Sequence, residues 1–98
     1  MPAVCRGNSV DADVPHCSTP MRSALSPDVI VNGTGISRQG DVNTPHLVPP
    51  PVCPIHAMPI AIGSTTVFVN TKGCGRIGDA ITACTSVATG SSNVFAGP

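Results

Sequence analysis

Short runs of β-branched and aromatic residues, each bounded by turn residues, are the clearest hydrophobic pattern in this chain. They lie at residues 29–31, 67–69 and 94–96. Such runs predict short strands, and no window of the sequence has sustained helical periodicity. The pair Asn32-Gly33 predicts a tight turn, and the prolines at 49–51 predict an extended loop. The pattern therefore predicts an all-β fold with long loops.

The predicted strands belong to an internal repeat. Residues 26–33 resemble residues 64–71, and both resemble residues 91–97. An Arg-x-Gly-Asp element recurs ahead of the later strands, with a degenerate first copy, at residues 38–41, 76–79 and 6–9. We therefore expect residues 1–98 to form one domain with pseudo-threefold symmetry. Its three units are predicted near residues 5–33, 37–71 and 75–97.

Composition limits how such a domain is stabilised. The chain has 98 residues with 10 Gly, 11 Pro, only two Phe, and no Tyr or Trp, so the usual large core side chains are missing. A core this poor needs a disulfide set, a metal or a partner. Five Cys is an odd number, and residues 1–6 do not resemble a secretory leader. Metal binding is therefore favoured over disulfides.

Charge and hydropathy argue against two functions. The net charge is zero and Lys72 is the only lysine, so no basic face exists for a phosphate backbone and nucleic-acid binding is not expected. No apolar run reaches about 18 residues, so no transmembrane helix is expected. We expect synthesis in a cytoplasm, with delivery by a machine before any function outside the cell.

These features together resemble the PAAR-repeat family. The resemblance rests on the repeated Arg-x-Gly-Asp, the His or Cys after it, and the strand Gly-Ser-x-x-Val-Phe-Val-Asn at residues 63–70. It spans essentially the whole chain and is closest over residues 63–97. The name-giving Pro-Ala-Ala-Arg is degraded here at residues 35–38 and 73–76, and only residues 2–6 resemble it, with one extra residue.

The resemblance implies a small cone stapled near its apex by a metal that three His and one Cys bind. The matching residues are His16, His46, His56 and Cys84. The repeat independently makes two of them equivalent, because His46 and Cys84 each lie eight residues after an arginine of the repeat. This donor set suits zinc, in preference to iron, in a closed structural site.

Other cysteines leave alternatives open for the ligand set. Cys53 could replace His46, because Cys53 and His56 have ligand-like spacing, and Cys17 could replace its neighbour His16. Cys5 and Cys74 precede arginines of the repeat, and we interpret both as packing residues.

The resemblance also implies a structural function without turnover. The cone would cap a homotrimeric β-helical spike, one tip per trimer, and pierce a target membrane transiently. The predicted docking residues are Val29, Ile30, Val31, Val67, Phe68, Val69, Val94 and Phe95. Because no toxin domain follows residue 98, we expect a phage tail baseplate tip, assembled in the host cytoplasm and carried on the virion. A type VI secretion spike tip, delivered extracellularly, is the alternative.

Two further functions fit part of the pattern. A small metal-dependent hydrolase would need three protein ligands and a bound water rather than four protein ligands. A zinc-stapled adaptor for another trimer would differ from a spike tip in its genomic neighbours, because only the tip is expected beside genes for a sheath, a tube and a spike. No small-molecule substrate is expected.

Residues 73–78 match a dinucleotide fingerprint only formally, because no helix is predicted after them. Asp41 and Asp79 are expected to make local turn hydrogen bonds and ion pairs.

Overall fold

The chain forms short antiparallel strand pairs joined by loops. A computed structural model describes residues 1–15, 19–47 and 55–97, with the backbone alone for residues 46–47 and 55–56. Within these ranges there is no helix, so none that could span a membrane. The predicted all-β class is confirmed at this level. The three strand pairs are β1 (Ile30–Val31) with β2 (Thr34–Gly35), β3 (His46–Leu47) with β4 (Ile55–His56), and β5 (Phe68–Val69) with β6 (Lys72–Gly73).

Two of these hairpins turn through left-handed backbone. Asn32 and Gly33 have φ of 51° and 82° between β1 and β2, so the tight turn predicted there is present. Asn70 and Thr71 have φ of 53° and 67° between β5 and β6. Positive φ at both central positions is the type I′ geometry, whose twist matches that of the flanking strands. The β-branched Thr71 is unusual in this region of φ, and its hydroxyl donates to the carbonyl oxygen of Asn70.

The third repeat has no hairpin of this kind, and its last strand pairs with the beginning of the chain instead. Phe95 forms an antiparallel bridge with Ala3, and the amide of Ala96 donates to the carbonyl of Pro2 at 3.1 Å. Phe95 is the counterpart of Ile30 and Phe68 in the other repeats. The strand predicted at residues 94–96 is therefore a single bridge. The partner residue, Ala3, lies before residue 5, where the first repeat begins.

A closed triangle of backbone hydrogen bonds joins the three repeats. Cys5 N donates to Gly75 O at 3.0 Å, Gly75 N to Ser37 O at 2.9 Å, and Ser37 N to Cys5 O at 3.0 Å. These residues each precede the arginine of their repeat. A Cβ on Gly75 would lie 2.5 Å from Ser37 O and 2.8 Å from Cys5 Sγ, so glycine permits the close approach.

Buried apolar residues form two clusters along this body, whose principal extents are 37 × 23 × 22 Å. The first cluster contains hairpin residues and defines the hairpin end: Val4, Val31, Ile36, Val69, Cys74 and Ala96. The second contains residues that flank the long loops and defines the loop end: Cys5, Ile60, Ile81 and Val87. The two nearly equal short axes fit a body built from three similar units around one long axis.

Candidate functional site

An Arg–Asp clamp closes the turn of each repeat. The amide and Nε of Arg38 both donate to Asp41 Oδ2 at 2.8 Å. The amide and Nε of Arg76 donate to Asp79 Oδ2 at 2.8 and 3.3 Å. The local hydrogen bonds and ion pairs predicted for Asp41 and Asp79 are therefore present.

The first repeat has the same clamp, with a different spacing from the one expected. Arg6 donates to Asp11 Oδ2 from its amide at 2.7 Å and from Nε at 2.8 Å. The two extra residues are accommodated by left-handed backbone at Asn8 and Ser9, with φ of 54° and 59°. The first copy, read as degenerate at residues 6–9, is thus complete when Asp11 is taken as its acid. A search that allowed a two-residue insertion would have found it.

A second set of equivalent contacts joins neighbouring repeats at the hairpin end. In each repeat a serine hydroxyl accepts a backbone N–H from three residues ahead, at 2.9 to 3.0 Å, for Ser26, Ser64 and Ser91. Each hydroxyl then donates to the end of another repeat's strand. The donations are Ser26 to Asn70 Oδ1 at 2.6 Å, Ser64 to Gly97 O at 2.8 Å, and Ser91 to Asn32 Oδ1 at 2.5 Å. The three repeats therefore close into a cycle.

The predicted docking residues divide into an exposed and a buried set. At the middle of the three triplets, Ile30, Phe68 and Phe95 are 54%, 60% and 51% exposed. The next residue of each triplet is buried, so Val31 and Val69 face the core. Val94 is partly buried against that core. The exposed apolar set, which we name the hairpin-end surface, is Val29, Ile30, Val67, Phe68 and Phe95.

The predicted metal ligands lie at the loop end, as far as the structure describes them. His46 and His56 are directly opposite each other in the β3–β4 pair. Cys84 is half-buried and packs against the second cluster. Burial raises the pKa of its thiol, while a hydrogen bond from the Asn43 side chain opposes that rise. His16, Cys17 and Cys53 lie outside the described residues.

Counted along the sequence from the clamp aspartates, the candidate ligands of the three repeats have the same spacing. His16, His46 and Cys84 each lie five residues after the aspartate of their clamp, Asp11, Asp41 and Asp79. Among residues whose side chains the structure describes, no group of three or more His, Cys or Asp lies together in a way that could hold a metal.

A buried ion pair at the loop end was not anticipated. Arg22 and Asp13 have fully buried side chains, joined by Nη1 and Oδ2 at 3.3 Å. The amide of Arg22 donates to the carbonyl of Asp11, as Ile60 does to Asp41 and Val87 does to Asp79. Arg22 thus occupies the position that a buried aliphatic residue fills in the other repeats. Hydrophobic pattern alone places a charged residue at the surface, which is why this residue was missed.

Cys5 and Cys74, interpreted as packing residues, are buried in the two clusters. Burial raises the pKa of the Cys5 thiol well above its usual range and that of Cys74 to about 11. Both therefore stay neutral at ordinary pH and behave as small apolar side chains.

No protein-family model matches this sequence, and no curated protein matches it. The function proposed for the chain therefore rests on its own contacts.

Proposed function

We propose that this chain is the membrane-piercing tip of a contractile injection machine, a PAAR-type cone that caps a homotrimeric β-helical spike. The observation that carries the proposal is a closed cycle of three backbone hydrogen bonds through Cys5, Ser37 and Gly75, one residue from each repeat of a single chain. A homotrimer ends in three identical faces around one axis. A single chain with three near-equivalent faces can cover all of them, whereas a chain without such symmetry can match one at best.

The hairpin-end surface supplies the contact. Ile30, Phe68 and Phe95 are equivalent residues, and each is at least half exposed. Exposed apolar residues that recur around an axis favour a protein partner. Ile30 and Phe68 lie in two-residue strands and Phe95 in a single bridge, and spike strands would pair with the edges of these segments by main-chain hydrogen bonds. With zero net charge, apolar packing and main-chain pairing would dominate the contact.

Within this proposal the loop end points away from the spike and carries the metal. His16, His46, His56 and Cys84 are the proposed ligands. Support comes from the equal spacing of three of them after the clamps, from the opposition of His46 and His56, and from the half-burial of Cys84. Zinc, preferred over iron, would link the long loops and keep the tip folded under load.

The setting we propose is a phage tail baseplate, with the protein assembled in the host cytoplasm and carried on the virion. A type VI secretion spike, delivered extracellularly, remains the alternative setting for the same tip. The target membrane is pierced transiently. The proposal involves no catalysis, nucleic acid or small-molecule substrate.

Electron cryomicroscopy of the assembled spike tests the proposed placement. The hairpin end should be seated on the last turn of the spike, with the loop end outermost. A map in which the loop end contacts the spike, or in which the chain is elsewhere in the particle, would overturn the proposal.

Metal analysis of the purified chain tests the staple separately. We expect one ion per chain, and chelation under mild denaturing stress should lower the melting temperature, because binding energy is folding energy in a small core. An unchanged melting temperature after verified metal removal would contradict the claim that a bound metal stabilises the fold.

A further inference from the structure

Of the five asparagines in the chain, only Asn32 is followed by glycine, in the turn between β1 and β2. An Asn-Gly pair is prone to spontaneous deamidation, because no Cβ hinders the approach of the glycine nitrogen to the asparagine side chain. Asn32 and Gly33 are both exposed. No atom of the described residues lies within 4 Å of the place that a Cβ on Gly33 would take. The surroundings of the turn therefore leave room for the reaction.

The reaction needs only water as a co-reactant. The backbone nitrogen of Gly33 attacks Cγ of Asn32 and loses its proton, the bond from Cγ to Nδ2 breaks, and Nδ2 leaves as ammonia. Water then opens the succinimide ring at either carbonyl and gives aspartate or isoaspartate. Isoaspartate adds one carbon to the backbone of a two-residue turn. Both products place a carboxylate where the amide was.

The third repeat holds the Asn32 amide by both of its polar atoms. Oδ1 accepts a hydrogen bond from Ser91 Oγ at 2.5 Å, and Nδ2 donates to Asn93 Oδ1 at 3.0 Å. Ring closure brings Cγ onto the nitrogen of Gly33, so the amide must first turn out of these two contacts. The closed cycle therefore opposes the reaction, and a local opening between the first and third repeats removes that opposition.

Asn70 is the equivalent residue of the second repeat and provides an internal comparison. Its turn has the same left-handed backbone. Its amide also reaches another repeat, because Oδ1 accepts from Ser26 Oγ at 2.6 Å and Nδ2 donates to Asp28 Oδ1 at 2.8 Å. The next residue is Thr71, whose branched side chain hinders attack by its own nitrogen. The residue that supplies this nitrogen therefore distinguishes Asn32 from Asn70.

We propose that Asn32 is a deamidation site, protected by its contacts with Ser91 and Asn93, that reacts when the third repeat separates from the first. A carboxylate cannot donate, so the bond from Asn32 Nδ2 to Asn93 Oδ1 is lost in either product. Isoaspartate also lengthens the turn, so the original cycle is not restored. Repeated opening therefore shortens the lifetime of the intact hairpin end, whatever that end binds.

Peptide mapping by mass spectrometry, after incubation of the full chain at mildly alkaline pH, measures the conversion of each asparagine in the folded state and in urea. Ser91→Ala removes the donor to Asn32 Oδ1. Ser64→Ala is the matched control, because the Ser64 hydroxyl donates to Gly97 O at a different junction. Thr71→Gly places a second Asn-Gly pair in the same turn geometry, at a left-handed residue where glycine is favourable.

Asn32 should convert readily in urea and about tenfold or more slowly in the folded chain, because only the open state reacts. Folded Ser91→Ala should convert at Asn32 faster than folded Ser64→Ala. Asn70 should stay largely unmodified in wild type, even in urea, and the Thr71→Gly change should make it react in urea as Asn32 does.

The outcomes separate the site from its protection. If Asn32 does not convert in urea, it is not a deamidation site and the proposal is overturned. Equal conversion in the folded chain and in urea, or equal conversion in the two folded serine variants, overturns protection by the third repeat. If Ser91→Ala does not fold, the comparison of folded wild type with wild type in urea decides the question.

Discussion

The amide nitrogen of Gly75 donates a 2.9 Å hydrogen bond to the carbonyl oxygen of Ser37, and the two residues occupy the same position in successive repeats. Cys5 completes the triangle from the first repeat. Each repeat therefore depends on the other two for a backbone partner at the axis, and the three should unfold as one cooperative unit.

Replacing Gly75 with alanine should destabilise this unit. The added Cβ would lie 2.5 Å from Ser37 O, so the triangle must open, at about 1–3 kcal/mol of unfolding free energy. Urea unfolding measures the loss. Gly97→Ala is the matched control, because the nearest atom to its Cβ is at an ordinary 3.4 Å. Equal stability of the two variants would mean that the triangle is not closely packed.

The Arg–Asp clamps should contribute similarly in the first and second repeats. Asp11→Asn and Asp41→Asn each remove the carboxylate from a mostly buried arginine, so each should cost about 3 kcal/mol. Lys72→Gln is the control at an exposed charge and should change the free energy of unfolding by about 0.5 kcal/mol or less. An Asp11 variant as stable as the Lys72 variant would show that the Arg6–Asp11 clamp does not stabilise the fold.

Much of this fold could be predicted from sequence, because the strand triplets and the Arg-x-Gly-Asp turns depend on local residue preferences. The pairing of Ala3 with Phe95 could not, since it joins the two ends of the chain. Asp11 was missed because a two-residue insertion changes its spacing from Arg6. For the candidate site, spacing related His46 to Cys84, but the burial of Arg22 against Asp13 depends on tertiary contacts.

Burial of two thiols should protect them from alkylation and make stability depend on alkaline pH. The pKa of Cys74 is raised to about 11 and that of Cys5 is raised further. Only the unfolded chain ionises these thiols near pH 8.5, so their contribution is complete below that pH. It is lost progressively as the pH rises through the folded pKa values.

Peptide mapping after iodoacetamide treatment at pH 8 should find both cysteines unmodified in the folded chain and modified in urea. In a Cys5→Ala, Cys74→Ala variant, the fall in unfolding free energy between about pH 8.5 and pH 11 should be smaller than in wild type. Rapid modification of Cys5 in the folded protein would contradict its burial.

Docking should depend on the hairpin-end surface and not on exposed apolar residues in general. Phe68→Asp places a charge on a residue that is 60% exposed, so the domain should fold and spike binding should fall at least tenfold. Ile62→Asp, at 64% exposure outside this surface, is the matched control and should bind normally. Val69→Asp should unfold the domain, because Val69 is buried. Equal binding by the Phe68 and Ile62 variants, measured by calorimetry, would place the contact elsewhere.

The mass of the proposed complex between this chain and a spike trimer, measured by native mass spectrometry, tests the central claim most directly. One chain with three near-equivalent faces should give a single tip per spike trimer. Light scattering at high salt should find the complex intact, because no long-range charge attraction holds it. Three tips per trimer, or a complex that dissociates at high salt, would contradict the account.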